Sequence, residues 1–200
     1  KKEVQQVLID AQPQLVIIDD DASNLDHFNE FLVMKIGEIE EMSMKCSETY
    51  LMDDYSFTLG KDGEAVTIYT SGTLSAAKGI QLHHSCCQER LEWQWKQFPF
   101  QEDETHCLAR NALHHIDHFA EIWAPLCTGK CLVIVDDKYC KDPQALTNVM
   151  ENHNIKRFLG LPALIDAILD ELMKKNPTHS NEKVSLWIST GEPLTIAIAQ

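Results

Sequence analysis

From Thr105 to Ser189 the chain alternates short apolar runs with stretches of helical spacing, and this limits the fold more than any other feature. Cys131-Leu132-Val133-Ile134-Val135 is an uninterrupted apolar run and reads as a buried strand. Thr105–Asn111, Arg157–Gly160 and Val184–Ser189 read as strands on either side of it. Between them, Ile116–Leu126, Pro143–Asn152 and Pro162–Lys175 have helical spacing. Gly129 stops the first of these helices, and Pro143 opens the second within its first turn. Strands joined through helices of this length lie parallel, because each crossover returns the chain to the same end of the sheet. The pattern predicts an α/β fold, a mostly parallel sheet flanked by helices.

The earlier part is less regular. Val4–Ala11 reads as a helix stopped before Pro13, and Leu15–Ile18 as a buried strand ahead of Asp19-Asp20-Asp21. Ala65–Tyr69 reads as a strand and His84–Phe98 as a helix ended by Pro99. Residues 22–64, with one helix expected near Phe28–Met44, read as an acidic, irregular excursion, either a surface insertion or a poorly ordered linker. Residues 1–60 hold 13 acidic and 4 basic side chains, so they carry −9 of the net charge of −14. That balance argues against nucleic acid or an anionic membrane surface as partner. The apolar runs are all shorter than the roughly 18 residues a membrane helix needs. Seven cysteines without a C-x-x-C pair read as reduced thiols in a cytoplasmic protein. The adjacent Cys86 and Cys87 read as core thiols, and Trp93 and Trp95 as packing residues on different sides of their helix. A chain opening on Lys1 and closing on Gln200 reads as a fragment.

Three segments carry chemistry. In Thr70-Ser71-Gly72-Thr73-Leu74-Ser75-Ala76-Ala77-Lys78-Gly79 an apolar strand breaks into small and hydroxylated residues and ends in Lys-Gly. Small side chains let backbone N–H groups approach a phosphate, hydroxyls add donors, and Lys78 adds a mobile positive charge. An ordinary Ser/Thr/Gly turn with a solvated lysine fits the same residues. The spacing matches neither G-x-x-x-x-G-K-[ST] nor G-x-G-x-x-G. Ser189-Thr190-Gly191-Glu192-Pro193-Leu194 follows a strand and reads, by itself, as a strand-to-helix turn. Asn111 to Leu126 gathers His114, His115, Asp117 and His118. Asp117 suits a helix cap. His114 and His118 have metal-ligand spacing, but no second cluster completes a site, and surface or pocket histidines fit as well.

Taken together, these segments resemble the adenylate-forming superfamily: acyl-CoA synthetases, luciferases and the adenylation domains of peptide synthetases. The Thr70–Gly79 loop resembles its T-S-G-[ST]-T-G-x-P-K-G motif, departing at Leu74, Ser75 and Ala77. Thr190-Gly191-Glu192-Pro193-Leu194 resembles G-G-E-[AP]-L, departing at Thr190, and Glu121-Ile122-Trp123-Ala124-Pro125-Leu126 resembles E-I-[FW]-x-P-L. With Arg90–Phe100, Lys141-Asp142-Pro143 and Leu186–Leu194, the likeness is greatest to β-alanyl amine synthetases of the Ebony type.

The resemblance implies that residues 1–200 are part of an adenylation domain. It places ATP phosphates at Thr70, Ser71, Gly72, Thr73, Lys78 and Gly79, with Lys78 and Thr73 acting in catalysis. It places adenine at Gly191, Glu192 and Pro193, and the substrate ammonium group at Asp117. It implies Mg²⁺, attack at the α-phosphorus, an aminoacyl adenylate of β-alanine or another small amino acid, a carrier domain bearing phosphopantetheine, and an amine acceptor. The N-x-Y-G-P-T-E loop, a ribose-binding Asp and a lid lysine are expected beyond Gln200, and the isolated chain is expected to be inactive. The departures at Leu74, Ser75 and Ala77 also fit a non-catalytic nucleotide-binding or interaction module of the same fold.

Overall fold

A computed structural model describes residues 2–22, 28–46, 63–70, 78–175 and 184–194. The chain divides into two compact units, Lys1–His84 and Ser85–Gln200.

The first unit holds α1 (Lys2–Ala11), β1 (Val16–Ile18), β2 (Val33–Lys35), α2 (Ile36–Lys45), β3 (Glu64–Thr70) and β4 (Lys78–His83). Strands β1 and β2 are parallel, with Val16 opposite Val33. Asp20, from the acidic run, caps α2: its carboxylate accepts the Gly37 N–H at 3.1 Å. A carboxylate there satisfies an orphan donor and faces the positive end of the helix. Glu38 reaches back to the Lys35 N–H at 3.0 Å, half of a capping box. Ile17 is 57% exposed, so β1 is not the buried strand expected at Leu15–Ile18. Between residues 22 and 64 the described parts contain β2 and α2; residues 23–27 and 47–62 lie outside the described residues.

The second unit is the alternating half of the sequence. Helix α3 (His84–Gln97) leads into it. Then come β5 (His106–Ala109), a π-helical stretch (Phe119–Trp123) running into α4 (Ala124–Leu126), β6 (Cys131–Ile134) and α5 (Pro143–Asn152). β7 (Arg157–Gly160), α6 (Pro162–Lys175) and β8 (Leu186–Ser189) complete it. β5 pairs with β6 and β7 with β8, both parallel and without a register shift. The α/β class read from the alternation is the one observed, and three of the four strand pairs among the described residues are parallel.

Helix α5 begins because Pro143 presets φ and Asp142 accepts from the N–H groups of Gln144 and Ala145 at 2.9 and 3.2 Å. Its Leu146 and Met150 stack one turn apart and meet Ile165, Ile168 and Leu172 of α6 over Phe158 of β7. Each such side chain contributes about 1.5–3 kcal/mol on burial.

Cys107 and Cys140 belong to the buried set, whereas Cys46, Cys86, Cys127 and Cys131 are exposed. The reading of Cys86 and Cys87 as core thiols is therefore corrected: α3 turns Leu91 and Gln94 inward, and Cys87 is only half-buried. Trp93 is likewise half-exposed, under the Arg90 guanidinium, while Trp95 donates to the Ala124 carbonyl at 3.0 Å. Burial pushes the Cys107 thiol up to about 12. Iodoacetamide at mildly alkaline pH is expected to label Cys46, Cys86, Cys127 and Cys131 in the native protein. Cys107 should react only after denaturation, as read by peptide mass spectrometry. Native labelling of Cys107 as fast as Cys131 would contradict the packing of β5.

Candidate functional site

The first segment is a hairpin. β3 and β4 are antiparallel, Thr70 opposite Lys78 and Tyr69 opposite Gly79. Lys78 therefore begins a strand instead of lying within a loop, and it is exposed. The alternation Ile80-Gln81-Leu82 was the available strand signal. Gly79 has a local cause in this hairpin: a Cβ there would lie 3.0 Å from the Tyr69 ring. The Tyr69 hydroxyl donates to Asp10 at 2.7 Å, and that carboxylate holds the phenol above its usual pKa. Ser71, Gly72 and Thr73, with Leu74, Ser75 and Ala77, lie outside the described residues.

The second segment follows β5. Asp117 lies just before the π-helical stretch, with its backbone carbonyl accepting from Ala120 at 3.0 Å and Glu121 at 3.3 Å. Its side chain makes no cap bond, because His118 is the residue at the cap position. The carboxylate is 16% exposed and lies 3.6 Å from Nδ1 of an exposed His115. It is a shielded anion with a solvated histidine beside it, and the Arg90 guanidinium also feels its charge. His118 turns inward, with Nδ1 2.7 Å from the His115 carbonyl. Among the described residues no three His, Cys, Asp or Glu side chains converge as a metal site.

Behind Asp117 lies a buried clamp that the sequence pattern did not single out. Glu121 accepts the backbone N–H groups of Arg110 and Asn111 at 2.9 and 2.7 Å, and its other oxygen is 3.8 Å from Arg110 Nε. Burial is the main cause that lifts the Glu121 pKa, opposed by those hydrogen bonds and by Arg110. The signal available was a charged pair, Arg110 at the end of an apolar strand and Glu121 inside an apolar helix face. A cavity of about 20 Å³, room for one water, lies beside it, lined by Gln94, Cys107, Glu121, Arg157 and Ile188 among others.

The third segment closes β8. Thr190 N–H donates to the Gly160 carbonyl at 3.1 Å, and the chain then turns at Gly191 with φ +81°. That conformation favours glycine, and an added Cβ would fall 2.7 Å from Leu161. Gly191, Glu192, Pro193 and Leu194 are all exposed. Asp117, Gly191, Glu192 and Pro193 all belong to the second unit, whereas Thr70, Lys78 and Gly79 belong to the first.

No helix among the described residues is long and apolar enough to cross a membrane. The family described as "AMP-binding enzyme" matches residues 1–200. A beta-alanyl-bioamine nonribosomal peptide synthetase, ebony, of Drosophila melanogaster is 30% identical over 199 residues. That match takes in 98% of this chain and 22% of the relative. Gramicidin S synthase 2 of Brevibacillus brevis is 28% identical over 141 residues, 70% of this chain and 3% of its own length. The chain thus spans about a fifth or less of these relatives. Among solved structures, the nonribosomal peptide synthetase FmoA3 superposes with a TM-score of 0.77 at 16% identity, over 100% of this chain and 20% of that one. VinN in complex with L-aspartate superposes with a TM-score of 0.79 at 18% identity, over 99% and 49%. The fold and the match along the whole chain agree: this chain belongs to the AMP-binding enzyme family and is a portion of an adenylation domain.

Proposed function

We propose that the chain forms part of an ATP-dependent adenylation domain that activates β-alanine or a similarly small amino acid for transfer to a carrier thiol and then to an amine. The observation that carries this reading is the shielded Asp117 carboxylate, 16% exposed, with a solvated histidine 3.6 Å away and the Arg90 guanidinium within reach of its charge. In a chain 30% identical to a beta-alanyl-bioamine synthetase, an ammonium group is the natural partner for that anion. Adenine would lie against the exposed Gly191, Glu192 and Pro193 backbone, at the turn that Gly191 makes with its positive φ. The phosphates would meet Thr70, Ser71, Gly72, Thr73, Lys78 and Gly79, with Lys78 neutralising charge and the Thr73 hydroxyl donating a hydrogen bond as pyrophosphate leaves. Mg²⁺ would arrive with the triphosphate. Phosphopantetheine would come on the carrier domain.

Amino-acid-dependent ATP–pyrophosphate exchange by the full-length protein tests the reading, with β-alanine compared against α-amino acids and dicarboxylates. β-Alanine is expected to give the highest kcat/KM. Asp117→Ala is expected to lower it about 100-fold, as removing one member of a charge pair in a closed site does, and to leave the KM for ATP nearly unchanged. An Asp117→Ala protein with wild-type KM for the amino acid would refute the assignment. The 200-residue chain alone is expected to give no exchange.

A further inference from the structure

We infer that Arg110 is a positioning residue that holds the Asp117 segment and the Gly191 turn in one frame. The inference rests on the reading of those two places as amino-acid and adenine contacts. Arg110 follows directly on the last residue of β5, and its side chain, 9% exposed, crosses to β7. There one guanidinium nitrogen donates to the Leu159 carbonyl, at 2.6 Å, and the group stacks 5.0 Å from the centre of the Phe158 ring. Gly160 makes room for it: a Cβ at that position would meet the same nitrogen at 2.9 Å and the Phe158 ring at 2.7 Å.

Each end of this strut leads to one of the two places. On one side, Glu121 takes the Arg110 and Asn111 backbone N–H groups and faces Arg110 Nε. The Glu121 N–H in turn holds the Asp117 carbonyl. On the other side, the Gly160 carbonyl accepts from Thr190, and Leu161 abuts Gly191. The links are part-buried hydrogen bonds and the contact of Leu161 with Gly191, so a shift at the guanidinium reaches both ends. Arg110 touches neither ligand. Its role is to keep the spacing between the site for the ammonium group and the site for the base.

Arg110→Lys keeps the charge and loses the planar fork. Gly160→Ala keeps Arg110 and displaces its guanidinium. Arg157→Lys, at the other end of β7, is the control for burial alone. In the full-length protein, Mg-ATP and β-alanine binding are measured by calorimetry and unfolding by a thermal melt. Arg110→Lys and Gly160→Ala are expected to weaken both ligands about tenfold, whereas Arg157→Lys lowers the melting temperature with both affinities within about twofold of wild type. Variants at 110 and 160 that melt lower yet bind both ligands as wild type does would overturn the inference. So would a loss confined to one ligand, since a shared frame moves both. Wild-type protein that binds neither ligand would instead overturn the functional reading beneath it.

Discussion

Replacing Glu104 with alanine is expected to destabilise the second unit by about 3–5 kcal/mol, the cost of leaving a buried charge without its partner. Glu104 is 1% exposed and takes Arg157 in a two-pronged pair through Nε and a second nitrogen, the latter at 2.7 Å. The guanidinium also donates to the Phe98 and Pro99 carbonyls, each at 3.2 Å, and stacks 3.9 Å from the Phe100 ring centre. Glu104 further accepts the Gln101 N–H. The pair thus fastens the turn before β5 to the start of β7, and its bonds leave little of either group unsatisfied. In Glu104→Ala the positive charge stays buried with carbonyl dipoles alone. A melt followed by tryptophan fluorescence should fall by about 10 °C. Joining Glu104→Ala to Arg157→Met should restore much of the loss, because an apolar pair needs no compensation. A loss under about 1 kcal/mol in the single variant would mean water reaches the pair.

The same strands show what a sequence does and does not reveal here. The α/β class was legible because β5 to β8 and α5 and α6 obey local rules: apolar strand runs, Asp142-Pro143 at a helix start, amphipathic spacing over Pro162–Lys175. Boundaries of α5, β7 and α6 agree with the pattern, since caps and prolines act within a few residues. The hairpin strand β4 was hidden inside the resemblance of Lys78-Gly79 to the end of a phosphate loop. β2 was hidden by its length of three residues. The π-helical stretch could not be read at all, because one residue of extra turn leaves the Phe119–Trp123 pattern looking like an ordinary helix.

At the candidate site the legible residues are those that stand in a motif. Asp117, Gly191, Glu192 and Pro193 announce themselves by type and by motif. Arg110 and Glu104 do not, and Glu121 does so only as the first residue of a motif, because their meaning lies in pairings 10 to 53 positions apart. A lone charged residue in an apolar stretch was the trace they left. Tertiary pairing turned that trace into the clamp behind Asp117.

That clamp yields an opposite pair of outcomes at one position. Glu121→Ala is expected to cost about 3–5 kcal/mol, because it strands Arg110 and two backbone N–H groups in a buried place. Glu121→Gln keeps a carbonyl oxygen for both N–H groups and should cost about 1–2 kcal/mol. The pH dependence has a definite sign. Burial lifts the Glu121 pKa in the folded state, so the fold favours the protonated carboxyl. The stabilisation that follows is complete below the unfolded glutamate pKa and is lost as pH rises through the lifted one. Glutamine cannot titrate, so the wild-type advantage over Glu121→Gln should grow as pH falls from neutral into the glutamate range. Denaturant midpoints of both proteins at several pH values read this directly. An advantage that shrinks on acidification would show that the Arg110 charge and the two N–H groups outweigh desolvation, and that the carboxylate is held ionised.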